Sequence, residues 1–208
     1  MKENLSRLFV MTFQGSGDDE QPSSAERLQL IVLALGAALA CGAVWGLGAG
    51  SSALSLALAN VWKVPLVLLM SVATALPASV LAFKIFGAKA SPSEVTLPIA
   101  TGVFAGCAML ATLAPLVGIF YLTSTQAGPL VAMGTVALGL STGIFVMTRN
   151  TVRIAKRESK NAIGSRLIPV VLFCVLQLAT LMQCVHLTNG MLPEQTFFDD
   201  GIDGLVKR

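Results

Sequence analysis

Val95-Thr96-Leu97-Pro98-Ile99-Ala100-Thr101-Gly102-Val103-Phe104 opens a run that continues to Phe145-Val146-Met147-Thr148 without a charged side chain, 54 residues in all. A membrane-spanning helix needs about 20 apolar residues, because a rise of about 1.5 Å per residue must cross about 30 Å of hydrocarbon. The run therefore holds two helices. They divide at Thr123-Ser124-Thr125-Gln126-Ala127-Gly128-Pro129, a polar break containing Gly and Pro.

Working outward, Leu167–Pro193 is a second charge-free run, of 27 residues, and holds one span. Leu28–Trp62 and Val64–Phe83 are interrupted only by Lys63 and hold two more. The fold class is all-α: a polytopic integral membrane helical bundle with five transmembrane helices, near 28–47, 62–83, 97–122, 129–148 and 167–188. A membrane β-barrel is excluded because its strands alternate apolar and polar residues, whereas these runs are apolar on every face.

The composition agrees. Of 208 residues, 54% are apolar and 12% charged, with a mean hydropathy of +0.76. A soluble domain carries about 25% charge; half of that cannot coat a water-facing surface. A soluble globular domain and a disordered chain are excluded. So is a nucleic-acid binder, since the net charge is only +3.

Local signals place several helix ends. Ser23-Ser24-Ala25-Glu26 and Ser91-Pro92-Ser93-Glu94 read as capping boxes, the second with proline suited to the first helical turn. Gly46 to Asn60, with Ser51, Ser52 and Ser55, reads as a weakly amphipathic interfacial piece or a re-entrant loop. Residues 1–27 form an N-terminal tail in which Asp18-Asp19-Glu20, with no apolar core, argues against a cleavable signal peptide. Leu5, Leu8, Phe9 and Phe13 fall at helical spacing in that tail and predict a short amphipathic helix, resting on headgroups or docking a soluble partner. Residues 189–208 form a short tail on the other side.

Basic residues set the expected orientation. Lys2, Arg7, Arg27, Lys84, Lys89, Arg149, Arg153, Lys156, Arg157, Lys160 and Arg166 fall on one side, and Lys63, Lys207 and Arg208 on the other. Short basic loops stay cytoplasmic, so the N-terminus is expected inside and the C-terminus outside. The 149–166 connection carries six of these cations (Arg149, Arg153, Lys156, Arg157, Lys160, Arg166) and one acid, Glu158. Such clusters attract anionic lipid headgroups, about 1 kcal/mol per cation near the surface; a protein partner is the other candidate. Together with Leu5, Leu8, Phe9 and Phe13, they form the candidate contact surface.

Small residues four apart let helix backbones approach. Gly42 and Gly46, Gly102 and Gly106, and Gly139 and Gly143 are expected to pack helices within the chain or between copies of a homo-oligomer. Pro77, Pro115 and Pro169 remove helical donors, which leaves carbonyls that Thr74, Thr112 and Ser141 are expected to satisfy.

Chemistry is poorly supplied. Ionisable residues at membrane depth mark coupled transport and proton relays, and the spans hold none beyond Lys63 and His186 near their ends. A nucleophile–base pair cannot be assembled, and Cys184 with His186 lacks the further ligands a metal needs. The chain is therefore expected not to be an enzyme and to hold no cofactor or metal. Cys41, Cys107, Cys174 and Cys184 show no CxxC spacing and read as small apolar residues.

Trp62-Lys63-Val64-Pro65-Leu66-Val67-Leu68-Leu69, with Leu76-Pro77-Ala78-Ser79 and Gly87, resembles the second span of Yip1-domain-like membrane proteins. Leu113-Ala114-Pro115-Leu116-Val117-Gly118-Ile119-Phe120 resembles the third. The likeness implies a five-span bundle with a cytoplasmic N-terminus and no catalytic residues. The Asp-Leu-Tyr-Gly-Pro type motif of the eukaryotic trafficking members is missing, so the architecture alone carries over.

These readings lead to a non-catalytic membrane anchor or scaffold that recruits partner proteins at its cytoplasmic face, in a bacterial inner membrane or an internal membrane. A transporter or channel subunit for a neutral solute is the alternative from another class. A small subunit of an envelope or secretion complex is a third.

Overall fold

The computed structural model describes residues 2–14, 22–85, 91–124, 127–158 and 162–189, and no strand occurs among them. The elements are α1 (Lys2–Phe9), extended by a π-helical turn (Val10–Gln14), then α2 (Ser24–Ala49), α3 (Leu54–Ile85), α4 (Pro92–Thr123), α5 (Ala127–Glu158) and α6 (Ala162–Asn189). Helices α2 to α6 are each long and apolar enough to cross a membrane. The protein is a multi-pass integral membrane helical bundle.

The helices overrun the charge-free runs. α3, α4 and α5 each have 32 residues, about 48 Å of helix against about 30 Å of hydrocarbon. Charge marks where the bilayer ends, and Lys84, Arg149 and Arg153 are good helix formers, so the backbone continues past it. The same reasoning corrects the reading of residues 46–60. α2 runs through Gly46 and Gly48 to Ala49, a turn follows, and α3 begins at Leu54 and continues without interruption. No separate interfacial piece or re-entrant loop forms. A Cβ on Gly46 would stand 2.5 Å from the Asn60 carbonyl oxygen, and one on Gly50 would collide with the Ala57 backbone. The glycines thus let α3 start directly against α2, and Ser51 satisfies its hydroxyl on the Gly118 carbonyl of α4 at 3.1 Å.

α4 is the central helix, packed along α2 on one side and α5 on the other; α3 joins α2 to α6, which leans on α5. The α4/α5 seam is antiparallel and built on glycine. A Cβ on Gly102 would meet the Gly143 carbonyl oxygen at 2.8 Å, and one on Gly106 the Gly139 carbonyl oxygen at 2.7 Å. Backbone meets backbone at both levels, which only glycine permits. Gly42 makes an ordinary contact with Val64, 3.6 Å from a would-be Cβ. All six glycines singled out from the sequence therefore have neighbours within the chain.

Polar groups inside the bundle pair across the seams. Gln177 Nε2 of α6 donates to Ser71 Oγ of α3 at 2.8 Å. Trp45 Nε1 of α2 donates to Thr135 Oγ1 of α5, and Asn150 Nδ2 of α5 to Thr101 Oγ1 of α4, both at 3.1 Å. In hydrocarbon an unpaired polar group is costly, so these pairs also fix which helix faces which.

The proline expectation needs a correction. Pro77 and Pro115 leave the carbonyls of Ala73 and Ala111 without their usual donors. Yet Thr74 Oγ1 donates to Met70 and Ser71, and Thr112 Oγ1 to Met109. Ser141 Oγ donates to Ala137 at 2.8 Å. A helical Thr or Ser hydroxyl reaches back three or four residues from its own position. From 74 and 112 that reach passes over the carbonyl each proline frees, which lies only one residue back.

Candidate functional site at the basic end of the bundle

α1 is too short to hold helical shape alone, and the bundle supplies what it lacks. Leu8 is fully covered, in one cluster with Leu30, Ile31, Ala34 and Ala38 of α2 and Leu97, Ala100, Phe104 and Cys107 of α4. Thr12, four residues on, is equally buried. Phe9 meets Phe104 edge-on with ring centroids 5.5 Å apart, and Phe13 does so at 6.4 Å. Offset edge-to-face pairs of this kind add about 0.5–1.5 kcal/mol each beyond burial.

The C-terminal end of this segment is held by a cation. Arg149 Nη2 donates to the Thr12 carbonyl at 2.5 Å, and Nη1 to the Phe13 carbonyl at 3.3 Å. The last carbonyls of a helix lack intrahelical donors and carry the negative end of its dipole. A guanidinium with donors in a fixed fork answers both needs. Arg149 follows the charge-free run directly, so the bilayer boundary and the clamp coincide. Midway along the segment, in the last turn of α1, Arg7 Nη1 stands 3.5 Å from Glu26 Oε1. Glu26 meanwhile closes the capping box of α2, accepting from the Ser23 N–H at 2.8 Å while its own N–H donates to Ser23 Oγ at 3.3 Å.

Glu94 repeats that double use. Its Oε2 accepts from the Ser91 N–H at 3.1 Å, capping α4, and its Oε1 accepts from Arg27 Nη1 of α2 at 2.6 Å. Each capping acid thus also holds an arginine from an earlier helix, Glu26 one from α1 and Glu94 one from α2. The capping was legible in the sequence, whereas the partners Arg7 and Arg27, the clamp by Arg149 and the aromatic seat at Phe104 were not. A faint signal existed: Leu8 and Thr12 share one helical face, and Thr12 interrupts an otherwise apolar stripe.

The other candidate contact residues divide by exposure. Leu5, Phe9 and Phe13 remain exposed beside the docked Leu8, so the amphipathic helix presents apolar surface outward as well as inward. Arg153 and Lys156 are exposed on α5, one and two turns beyond Arg149. Arg157 falls in the last turn of α5 and Arg166 in the first turns of α6. Lys160 and the 190–208 tail lie outside the described residues, as does Lys89. The exposed cations of α5 and the exposed aromatic side chains of the N-terminal segment are thus linked through the Arg149 clamp at one end of the bundle. Among the described residues, no three His, Cys, Asp or Glu side chains gather where they could share a metal ion.

No family model, no curated protein and no solved structure matches the chain.

Proposed function

We propose that the protein is a non-catalytic membrane anchor or scaffold that recruits a partner protein at the basic end of its bundle, the end expected to face the cytoplasm. The observation that carries this reading is the composite surface there. Leu5, Phe9 and Phe13 stay exposed on the docked N-terminal segment, and Arg149, which clamps that segment, is followed on α5 by the exposed Arg153 and Lys156. Aromatic residues and arginine are both enriched in protein-recognition patches. The five-span architecture is also the one the resemblance to Yip1-domain-like proteins implies.

Transport of a neutral solute is less well supported. A pathway needs polar groups left free to face it, whereas the polar pairs described above are taken up between helices. The α4/α5 seam is closed by backbone contact at Gly102 and Gly106.

Purification of the full chain in mild detergent tests the proposal. Arg153, Lys156, Arg157, Lys160 and Arg166 are changed to Gln together, leaving Arg149 to hold α1, and residues 1–14 are deleted separately. Each change is expected to remove a protein that co-purifies with the wild type. Unchanged recovery in both variants overturns the reading. Solute flux through reconstituted liposomes, absent on this proposal, would establish the alternative.

A further inference from the structure

Arg149, Arg153 and Lys156 stand at i, i+4 and i+7 on α5, one stripe on one helix face. The stripe starts directly after the charge-free run, at the level where hydrocarbon gives way to headgroups. Its inner end is occupied by the chain itself, because Arg149 is engaged with the Thr12 and Phe13 carbonyls, while Arg153 and Lys156 are exposed. That arrangement is not fully satisfied. Thr12 Oγ1 and Arg149 Nε are buried and have no hydrogen-bond partner, and like charges one turn apart on a helix repel. A phosphate between Arg149 and Arg153 meets both needs: it uses the free Nε–H, neutralises the pair, and forms charge-assisted bonds stronger than those to neutral carbonyls.

We propose that the Arg149–Arg153–Lys156 stripe is a binding site for the phosphate of an anionic phospholipid, and that this phosphate competes with α1 for Arg149. α1 is then a latch. With Arg149 on its carbonyls it stays seated over Leu30, Leu97, Ala100 and Phe104; with Arg149 on a lipid phosphate its terminal carbonyls lose their donor and the segment lifts. The Arg7–Glu26 pair is about half exposed on both sides, where ion pairs contribute little, so the Arg149 clamp is the stronger polar tie on the segment. The inference deepens the recruitment reading, since the latch governs the same surface, but its test contains no partner protein, so either can fail without the other.

The experiment measures the distance between spin labels at Leu5→Cys and Leu47→Cys in the full chain, with the four native cysteines changed to Ala. The chain is reconstituted in vesicles of phosphatidylcholine alone or with added phosphatidylglycerol. Phosphatidylglycerol is expected to move part of the distance distribution away from its docked value. R153Q/K156Q, which keeps the clamp but removes the other cations, is expected to stay docked in both lipids. R149Q is expected to be undocked in both, with a second label pair on α2 and α4 unchanged to show an intact bundle. A wild-type distribution indifferent to phosphatidylglycerol overturns the proposal, as does an equal response in R153Q/K156Q. Release by free inorganic phosphate in phosphatidylcholine vesicles, to the same extent as by phosphatidylglycerol, would assign the site to soluble phosphate and overturn the lipid.

Discussion

Arg27 Nη1 and Glu94 Oε1 meet at 2.6 Å across 67 residues of chain, with the side chains only 12% and 29% exposed. Ser51, in the turn just past α2, and Gly118 of α4 are hydrogen-bonded across the same separation of 67 residues. Equal offsets at both ends make α2 and α4 a parallel pair held in one register. They enclose the apolar cluster that seats Leu8, so the ion pair supports the floor on which α1 rests.

Breaking that ion pair is expected to cost more than a surface bridge and less than a buried one. Glu94→Gln should destabilise the bundle by about 1–3 kcal/mol, because Arg27 loses its counter-charge and α4 its capping carboxylate. A double-mutant cycle with Arg27→Met, read by unfolding in detergent, is expected to give a coupling of about 1 kcal/mol or more. Additive single effects would mean the pair contributes nothing.

The glycine seam should be intolerant of any side chain. Gly106→Val places atoms where the Gly139 carbonyl oxygen now stands. Overpacking of this kind costs about 1–3 kcal/mol or more. Gly134→Ala is the control, since a Cβ there meets nothing within 4 Å. Thermal unfolding in one detergent should separate the two, with Gly134→Ala near wild type.

Ser71 and Gln177 should respond asymmetrically. Ser71→Ala leaves the Gln177 amide without its acceptor, at a cost of about 1–2 kcal/mol. Gln177→Leu should be nearly neutral or stabilising. It removes the buried Oε1, which has no partner, while Ser71 Oγ keeps its bond to the Leu68 carbonyl at 2.9 Å. If Gln177→Leu proved the more damaging of the two, the α3/α6 seam would need another explanation.

The two tryptophans offer a spectroscopic test of the fold in lipid. Trp62 is 80% exposed on α3, whereas Trp45 is turned into the bundle and bonded to Thr135. In vesicles of brominated phospholipid, fluorescence of Trp45→Phe, which retains Trp62, should be quenched strongly. Fluorescence of Trp62→Phe should be quenched much less. Equal quenching would place Trp45 on the lipid face and contradict the α2/α5 contact.

The sequence by itself determined the number of spans, their approximate places, the two capping acids and the glycines at the seams. These are local properties. Hydrophobic length is read residue by residue against a fixed bilayer thickness, and caps and small-residue spacings are short-range patterns. It could not determine where helices stop beyond the bilayer, because α5 continues through Arg149 and Arg153 with the same backbone hydrogen bonds it makes in hydrocarbon.

Only the tertiary structure decided what the charged rim does. Which arginine faces which acid depends on the α2/α4 register, and that register is set by contacts 67 residues apart. Arg149 looked like one cation among six in a basic connection. Its role as the clamp on Thr12 arises because folding brings the N-terminal segment beside the end of α5. No spacing within the chain encodes that meeting, since it follows from the packing of three helices around Leu8 and Phe104.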